Sequence, residues 1–388
     1  MLQVAALVLG IVLGALSGLV PGIHSNTVAS LLAGFSISPE SAPFIIVALV
    51  GAHIVFQFFP SIFLSIPDDT VVASVLPGHR MALEGRGTEA LAICAFSVLI
   101  AAGASALLLP VSMWLLPTLY SLVEPNISAI LVLASVYLVA SEREPKKIAA
   151  AVFIFLLSGA LGVVTLRGAV NDPLFPSFCG LFAVSGILLS FTATRKIPEQ
   201  KEGKTKLDFL PYVLAGVLLG MLSDLLPGIA APAQIAIFAS AFLVTDDARK
   251  FLALVASIAA SHAVFAFSAL LSIGKAREGA LAILNDVSPV LPSQLPSLVG
   301  TLLLAMGVGA LALIWLSKRT HFLSRLEMKD VNLGVLAYLV CAVAIISGTL
   351  GILTLATAAA IGILPPLLGI RRTHVMGLII VPSMLLGM

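Results

Sequence analysis

The chain has 388 residues, of which 60% are hydrophobic and only 10% are charged. Soluble domains carry about 25% charged residues, so this composition excludes a soluble globular protein of this size. A net charge of +2, with no basic patch interleaved with aromatic residues, excludes a nucleic-acid-binding protein. The mean hydropathy of +1.13 therefore predicts an integral membrane protein with many membrane segments.

Apolar runs recur along the whole chain, and most are long enough to span, or nearly span, a bilayer. The long runs lie at residues 2–20, 43–65, 90–110, 126–141, 147–166, 174–193, 208–226, 248–273, 296–317, 331–347, 350–368 and 373–388. Two shorter runs, at 25–37 and 231–244, each follow a Pro-Gly pair. We predict an all-α polytopic membrane protein with two repeats of about seven segments, residues 1–194 and 209–388, joined by a hydrophilic cytoplasmic linker at 195–208.

The basic residues favour one orientation in the plasma membrane. If each run crosses once and the chain starts outside, all but three of the 21 Lys and Arg residues fall in cytoplasmic loops. The three exceptions are Arg167, Lys275 and Arg277. Because cytoplasmic loops are enriched in basic residues, we predict that both termini lie outside.

The second half of the chain repeats the first. Residues 13–23 read LGALSGLVPGI and residues 219–229 read LGMLSDLLPGI, with eight identities, and HIVFQF at His53 matches HAVFAF at His262. The predicted segments between the copies are odd in number, so the copies should enter the membrane from opposite sides. Inverted repeats of this kind are typical of alternating-access carriers with broken helices at the site. The alternative is a duplication that serves packing alone.

The Pro-Gly pairs predict where those helices break, because proline removes a backbone donor and glycine permits unusual conformations. Free amides after each break would form an anion site, and Ser25, Asn26 and Thr27 are suitable caps for the first short helix. The alternative is that these three residues only cap the helix. The predicted substrate-binding residues are Pro21, Gly22, His24, Ser25, Asn26, Thr27, Pro227, Gly228 and Gln234.

One acid, Asp224, lies well inside an apolar run. Ionisable residues within the membrane are functional candidates by default, so we predict that Asp224 binds the coupling cation or proton, with Ser223 and Ser17 beside the two breaks. The alternative is a structural hydrogen bond. The repeat-related His53 and His262 are further candidates, although a lone buried histidine is more often part of the core.

The adjacent acids Asp68 and Asp69 do not form a convincing second site. They would point in different directions on any regular backbone, so a solvated helix end is favoured over a metal or aspartyl-protease site. The sequence predicts no metal site, and no cofactor other than Na⁺ or H⁺ as the coupling ion.

The segment from Pro67 to Leu91, PDDTVVASVLPGHRMALEGRGTEAL, resembles a hallmark of the TctA family, the large membrane subunit of tripartite tricarboxylate transporters. The shared features are Pro67, Val71, Gly78, Met81-Ala82, Gly85-Arg86 and Ala90-Leu91, and both Pro-Gly breaks. The overall pattern is most similar to the shorter, archaeal-type branch. The resemblance implies ion-driven uptake of a carboxylate, with a small membrane subunit and an extracytoplasmic binding protein as partners.

The sequence therefore favours an ion-coupled secondary transporter, not an enzyme, that moves a small di- or tricarboxylate by alternating access between two inverted repeats. Helix N-termini and hydroxyls should meet the substrate charge, because almost every Lys and Arg lies in a predicted loop. The alternative carrier is a lipid-phosphate (polyprenyl-phosphate) translocase. An intramembrane enzyme would need convergent acids or a nucleophile with a base. A homodimer remains open.

Overall fold

The computed structural model describes residues 2–20, 23–35, 37–66, 71–190, 198–201, 207–225, 231–242, 247–320 and 327–386. These residues are largely helical and contain no β-strand, which confirms the predicted all-α fold. The helices of the first half are α1 Leu2–Leu19, α2 Ser25–Gly34, α3 Ala42–Phe56, α4 Phe58–Leu64, α5 Val75–Leu83, α6 Gly87–Val123, α7 Ile127–Ala140, α8 Pro145–Val164, α9 Leu174–Phe178 and α10 Ser185–Ser190. Those of the second half are α11 Leu210–Ser223, α12 Ala231–Phe242, α13 Ala248–Ile273, α14 Gly279–Val287, α15 Leu295–Ser317, α16 Met328–Leu368 and α17 Gly377–Leu386.

Several helical stretches are long and apolar enough to cross a membrane. Within the described residues there are six of them, at 42–64, 87–140, 145–168, 248–273, 292–317 and 329–368. Shorter apolar helices occupy 3–19, 174–189, 210–223 and 372–385. The protein is therefore a multi-pass membrane protein.

Two helices differ from the predicted segments. Helix α6 continues past the predicted end at residue 110, through Pro110 and Pro117, to Val123, because the residues that follow Pro110 are still apolar. Conversely, the runs 331–347 and 350–368 lie within α16, whose backbone leaves the helical conformation at Gly348 (φ 66°, ψ −161°). Only glycine adopts this conformation readily, so the predicted gap between the two runs is a glycine kink.

Small residues let the first helix of each half approach its neighbour closely. Helix α1 packs on α3, and helix α11 packs on α13. A methyl group at Gly14 would lie 2.8 Å from Ala52 Cβ, and one at Gly220 would lie 2.5 Å from Ser261 Cβ. The contact at Gly14 fixes where the C-terminal end of α1 lies along α3. The contact at Gly220 does the same for α11 along α13.

The two main apolar cores each draw on both halves of the chain. The larger core combines α3 and α6 with α11, α13 and α15. The second combines α7 and α8 with α12, α16 and α17. A hydrogen bond between Ser112 Oγ and Ser268 Oγ, 3.0 Å long, joins α6 to α13 within the larger core. The halves are thus interleaved in space.

Residues 198–201 of the linker are anchored to the first half. Gln200 Oε1 accepts a hydrogen bond from the Gly87 N–H at 2.7 Å, where α6 begins. The Gln200 side-chain amide also donates to the carbonyl of Ala82 at 3.1 Å. Residues 198–201 therefore lie against the turn between α5 and α6.

Candidate functional site

Both predicted helix breaks fall where the helices end. Helix α1 ends at Leu19 and α2 begins at Ser25, while α11 ends at Ser223 and α12 begins at Ala231. The pairs Pro21-Gly22 and Pro227-Gly228 lie outside the described residues, as do Asp68 and Asp69, and the side chain of Gln234 in α12 is likewise not described.

A serine contacts a histidine in both copies of the motif. Ser17 Oγ lies 2.9 Å from His53 Nδ1, and Ser223 Oγ lies 3.1 Å from His262 Nδ1. Each serine hydroxyl also donates to a carbonyl three residues earlier, that of Gly14 or Gly220. In both copies the serine hydroxyl thus links the Nδ1 atom of the histidine ring to the backbone of the first helix.

An acid joins this arrangement in the second copy. Asp224, directly after α11, is fully buried, and its Oδ1 atom lies 2.9 Å from His262 Nδ1. Within the described residues, neither carboxylate oxygen has a partner with good hydrogen-bond geometry. The corresponding position in the first copy is Gly18. The structure thus places the predicted ion-coupling residues Asp224 and Ser223 together on His262.

Arg277, which we expected in a loop outside the membrane, also lies at the end of α11. Arg277 Nε donates to the backbone carbonyl of Asp224 at 2.9 Å, and the guanidinium carbon lies 5.4 Å from the ring centroid of Tyr120. The chain turns back after α13 at Gly274, which has a φ of 66°, and so returns Arg277 to the end of α11. Local sequence gave no sign of this contact, because KAREG reads as a solvated loop.

The cap of the first short helix differs from the prediction. His24, and not Ser25, Asn26 or Thr27, caps α2: its backbone is extended and its Nδ1 accepts from the Asn26 N–H at 3.3 Å. The His24 ring also lies 5.1 Å from the His53 ring, measured between centroids. Ser25 is buried beside His24 Nδ1, whereas Thr27 is exposed. The capping rule for small polar residues missed this role because an imidazole nitrogen is an equally good acceptor.

The residues after α13 connect the two break motifs. The side-chain amide of Asn26 packs against Gly279, so closely that a methyl group there would lie 2.6 Å from Asn26 Nδ2. Two residues earlier, Arg277 contacts Asp224. The loop and first turn of α14 therefore touch one residue from each predicted half of the site.

The model of the tripartite tricarboxylate transporter TctA family matches residues 4–377. The chain belongs to the TctA family. It is also similar to an uncharacterized protein of Methanocaldococcus jannaschii, at 28% identity over 99% of both chains. This relative is consistent with the archaeal-type short branch. No solved structure matches this chain.

The TctA family is a transporter family, and its members are the membrane component of tripartite tricarboxylate transporters. The other two components of such transporters are a binding protein and a small subunit. In this member, the described residues contain no group of three or more His, Cys, Asp or Glu side chains that could hold a metal ion. The polar groups that meet at the end of α11 are instead one buried acid, a serine–histidine pair and a guanidinium. That set can exchange a proton or a monovalent cation and can bind an anion.

Proposed function

We propose that this protein is an ion-coupled secondary transporter of a small di- or tricarboxylate, and that Asp224 with His262 carries the coupling Na⁺ or H⁺. The observation that carries the proposal is the complete burial of Asp224 beside His262 in a membrane protein of the TctA family. An uncompensated buried carboxylate is strongly unfavourable, so Asp224 should bind a cation or a proton whenever it is closed off from water.

The neighbours of Asp224 support this role. His262 Nδ1 lies within 3.1 Å of both the Asp224 carboxylate and Ser223 Oγ. A change of charge at Asp224 therefore alters the electrostatic environment of His262, and the reverse also holds. Among the described residues, Arg277 and Glu278 also lie within electrostatic range of His262. The position that corresponds to Asp224 is Gly18 in the first motif. We therefore place coupling in the second motif and expect the first motif to contribute polar contacts to the substrate.

The remaining features of the proposal follow from the family and the charge pattern. We propose that a small membrane subunit and an extracytoplasmic binding protein work with this chain in the plasma membrane, with both termini outside. The substrate would lie between the motifs that begin α2 and α12. The substrate-binding residues would include His24, Ser25, Asn26 and Gln234.

Thermal unfolding of the purified protein tests this proposal. The probes are citrate, succinate, acetate and a polyprenyl phosphate, each with and without Na⁺ and at several pH values. A ligand at 100 times its dissociation constant stabilises the folded state by about 2.7 kcal/mol. We expect citrate or succinate to raise the unfolding temperature, and to raise it more with Na⁺ or at acid pH.

Two other outcomes would contradict the proposal. Stabilisation by the polyprenyl phosphate alone would favour the lipid-phosphate translocase. The second outcome is that carboxylates stabilise the protein equally under all ion conditions and that Asp224→Asn behaves in the same way. This result would refute the coupling role of Asp224.

A further inference from the structure

We infer that Arg277 binds a carboxylate group of the transported anion, next to the coupling site at Asp224. The inference rests on the proposed function and names the residue that recognises the substrate charge. The sequence alone assigned that task to helix ends and hydroxyls.

Three elements hold Arg277 in place. Its Nε donates to the Asp224 carbonyl at the end of α11, and Tyr120 of α6 lies under its guanidinium. The third element is α14, which begins two residues after Arg277. A guanidinium fixed at its Nε and supported by an aromatic ring presents its remaining N–H groups in a constant direction. Arg277 is therefore already oriented before a ligand arrives.

The guanidinium has no acidic partner in the part of the chain that the structure describes. Its Nη2 atom is buried and donates to no partner there, and no carboxylate oxygen of the described residues lies within ion-pair distance. The neighbouring acids have other partners. Glu278 accepts from the Leu281 N–H at 2.9 Å as the cap of α14, Glu124 accepts from the Tyr120 hydroxyl at 2.8 Å, and the Asp224 carboxylate faces His262. A partly buried cation in this state is a good receptor for a carboxylate, which arginine binds through two parallel hydrogen bonds.

Asn26 provides a second polar group for the same ligand. Its Oδ1 atom is buried and has no partner within the described residues, and its side chain touches Gly279. An anion held by Arg277 would therefore lie beside the first turn of the first short helix. A hydroxyl of the substrate can donate to Asn26 Oδ1, and a second carboxylate can accept from Asn26 Nδ2, which favours hydroxylated di- and tricarboxylates over monocarboxylates.

The position of Arg277 also explains how ion and anion binding are coupled. An ionised, empty Asp224 would repel an anion bound at Arg277, because the hydrogen bond from the guanidinium to the Asp224 backbone carbonyl brings the two charged sites close together. A proton or Na⁺ at Asp224 removes that repulsion. Cation binding should therefore precede and strengthen carboxylate binding, and the reverse coupling must hold to the same extent.

The test compares citrate binding to the full-length Arg277→Gln, Arg277→Lys and Lys275→Gln variants by thermal unfolding. Lys275→Gln removes a positive charge from the exposed part of the same loop, so it is the matched control. Charged hydrogen bonds contribute about 1.5–3 kcal/mol, so we expect Arg277→Gln to weaken citrate binding about 10- to 100-fold. Lys275→Gln should bind citrate as the wild type does. Stabilisation of Arg277→Gln by Na⁺ or acid, without citrate, should remain.

The outcomes separate this inference from the proposed function. If no carboxylate stabilises the wild type, the proposed function fails and the role of Arg277 fails with it. If citrate stabilises the wild type and Arg277→Gln equally, only the role of Arg277 is refuted. If Arg277→Gln does not fold, Arg277→Lys decides: it keeps the positive charge but loses the planar pair of donors, and citrate binding as tight as in the wild type would overturn the bidentate contact.

Discussion

A serine and a histidine meet in both copies of the repeated motif, and the second copy has Asp224 at the position of Gly18. Because Ser17–His53 and Ser223–His262 have the same geometry, the difference between the copies reduces to Gly18 against Asp224. The contact with Ser223 holds Nδ1 of the His262 ring beside the carboxylate. At the scale of single residues, the two motifs share a serine–histidine pair and differ in the residue that follows the serine, which is Gly18 in one and Asp224 in the other.

Replacing Asp224 by Asn should separate exchange from accumulation. Asn resembles the protonated acid and carries no charge, so it can neither release a proton nor hold Na⁺. We expect Asp224→Asn to catalyse exchange of labelled for unlabelled citrate across a liposome membrane, but to lose gradient-driven accumulation. Asp286→Asn, which changes an exposed acid on α14, is the control and should keep both activities. Accumulation by Asp224→Asn at the wild-type level would refute the coupling role.

At the scale of helices, close packing at glycine positions determines where the polar side chains meet. Gly220 lets α11 lie against Ser261 of α13, and Ser223 and Asp224 follow one turn later beside His262. Any side chain at Gly220 would force the two helices apart. The polar contact at the helix end therefore depends on a small residue one turn away.

We predict that Gly220→Leu destabilises the protein and weakens ion binding together. Forcing extra methylene groups into a packed interface costs about 1–3 kcal/mol. The matched control is Gly300→Leu on α15, where a side chain would meet nothing within 4 Å. The measurement is the unfolding temperature with and without Na⁺ or acid. Equal behaviour of the two variants would show that the close approach at Gly220 does not matter.

A second contact between elements predicts a pH effect on stability. Glu142, in the turn between α7 and α8, accepts from His374 Nε2 at 2.7 Å and from the Arg371 N–H at 3.1 Å. Burial opposes ionisation of Glu142, but these bonds outweigh that effect and hold the pKa of its carboxyl below the ordinary value. The turn is thereby tied to the segment that connects α16 to α17.

Glu142→Gln should therefore lower the free energy of unfolding by about 1.5–3 kcal/mol at neutral pH. A group with a lowered pKa in the folded state stabilises fully above its unfolded pKa, and this contribution is lost as the pH falls through the folded value. The difference from the wild type should thus shrink in acid. Glu144→Gln, which breaks an exposed ion pair with Lys147, is the control and should have little effect. A difference that stays constant down to acid pH would contradict this account.

Much of the molecule could be predicted from sequence where a local rule applies. Proline and glycine at the two breaks ended α1 and α11 as expected, and the gap before residue 350 was the kink at Gly348. Two features were not predicted, the first because it depends on a distant contact and the second because the residue type is unusual at its position. Arg277 reaches Asp224 across more than fifty residues of chain, and His24 takes a cap position usually held by smaller polar side chains.

At the scale of the whole molecule, the interleaved cores change how the protein should move. Moving one complete repeat against the other would break both cores, since each contains helices of both halves. We therefore propose that each moving unit contains parts of both repeats. One such unit is built from α3, α6, α11, α13 and α15 and the segments packed on them. All the described residues that contact Asp224 then belong to this unit.

A cysteine pair tests this movement. Ser112 and Ser268 lie in contact between α6 and α13, so a disulfide in the double variant Ser112→Cys/Ser268→Cys would join the two halves covalently. We expect citrate transport to continue after oxidation, because both residues belong to the same core. Single-cysteine variants and a reducing agent provide the controls. Loss of transport on oxidation, restored by reduction, would show that the halves move against each other.

The most direct test of the central claim is uptake of labelled citrate and succinate by liposomes that contain the purified protein, under an imposed Na⁺ or pH gradient. The measurement should be made with and without the small membrane subunit and binding protein from the same organism. We predict accumulation above the external concentration that collapses when an ionophore dissipates the gradient. Carboxylate movement that ignores both gradients, or its complete absence with all partners present, would contradict ion-coupled transport by this protein.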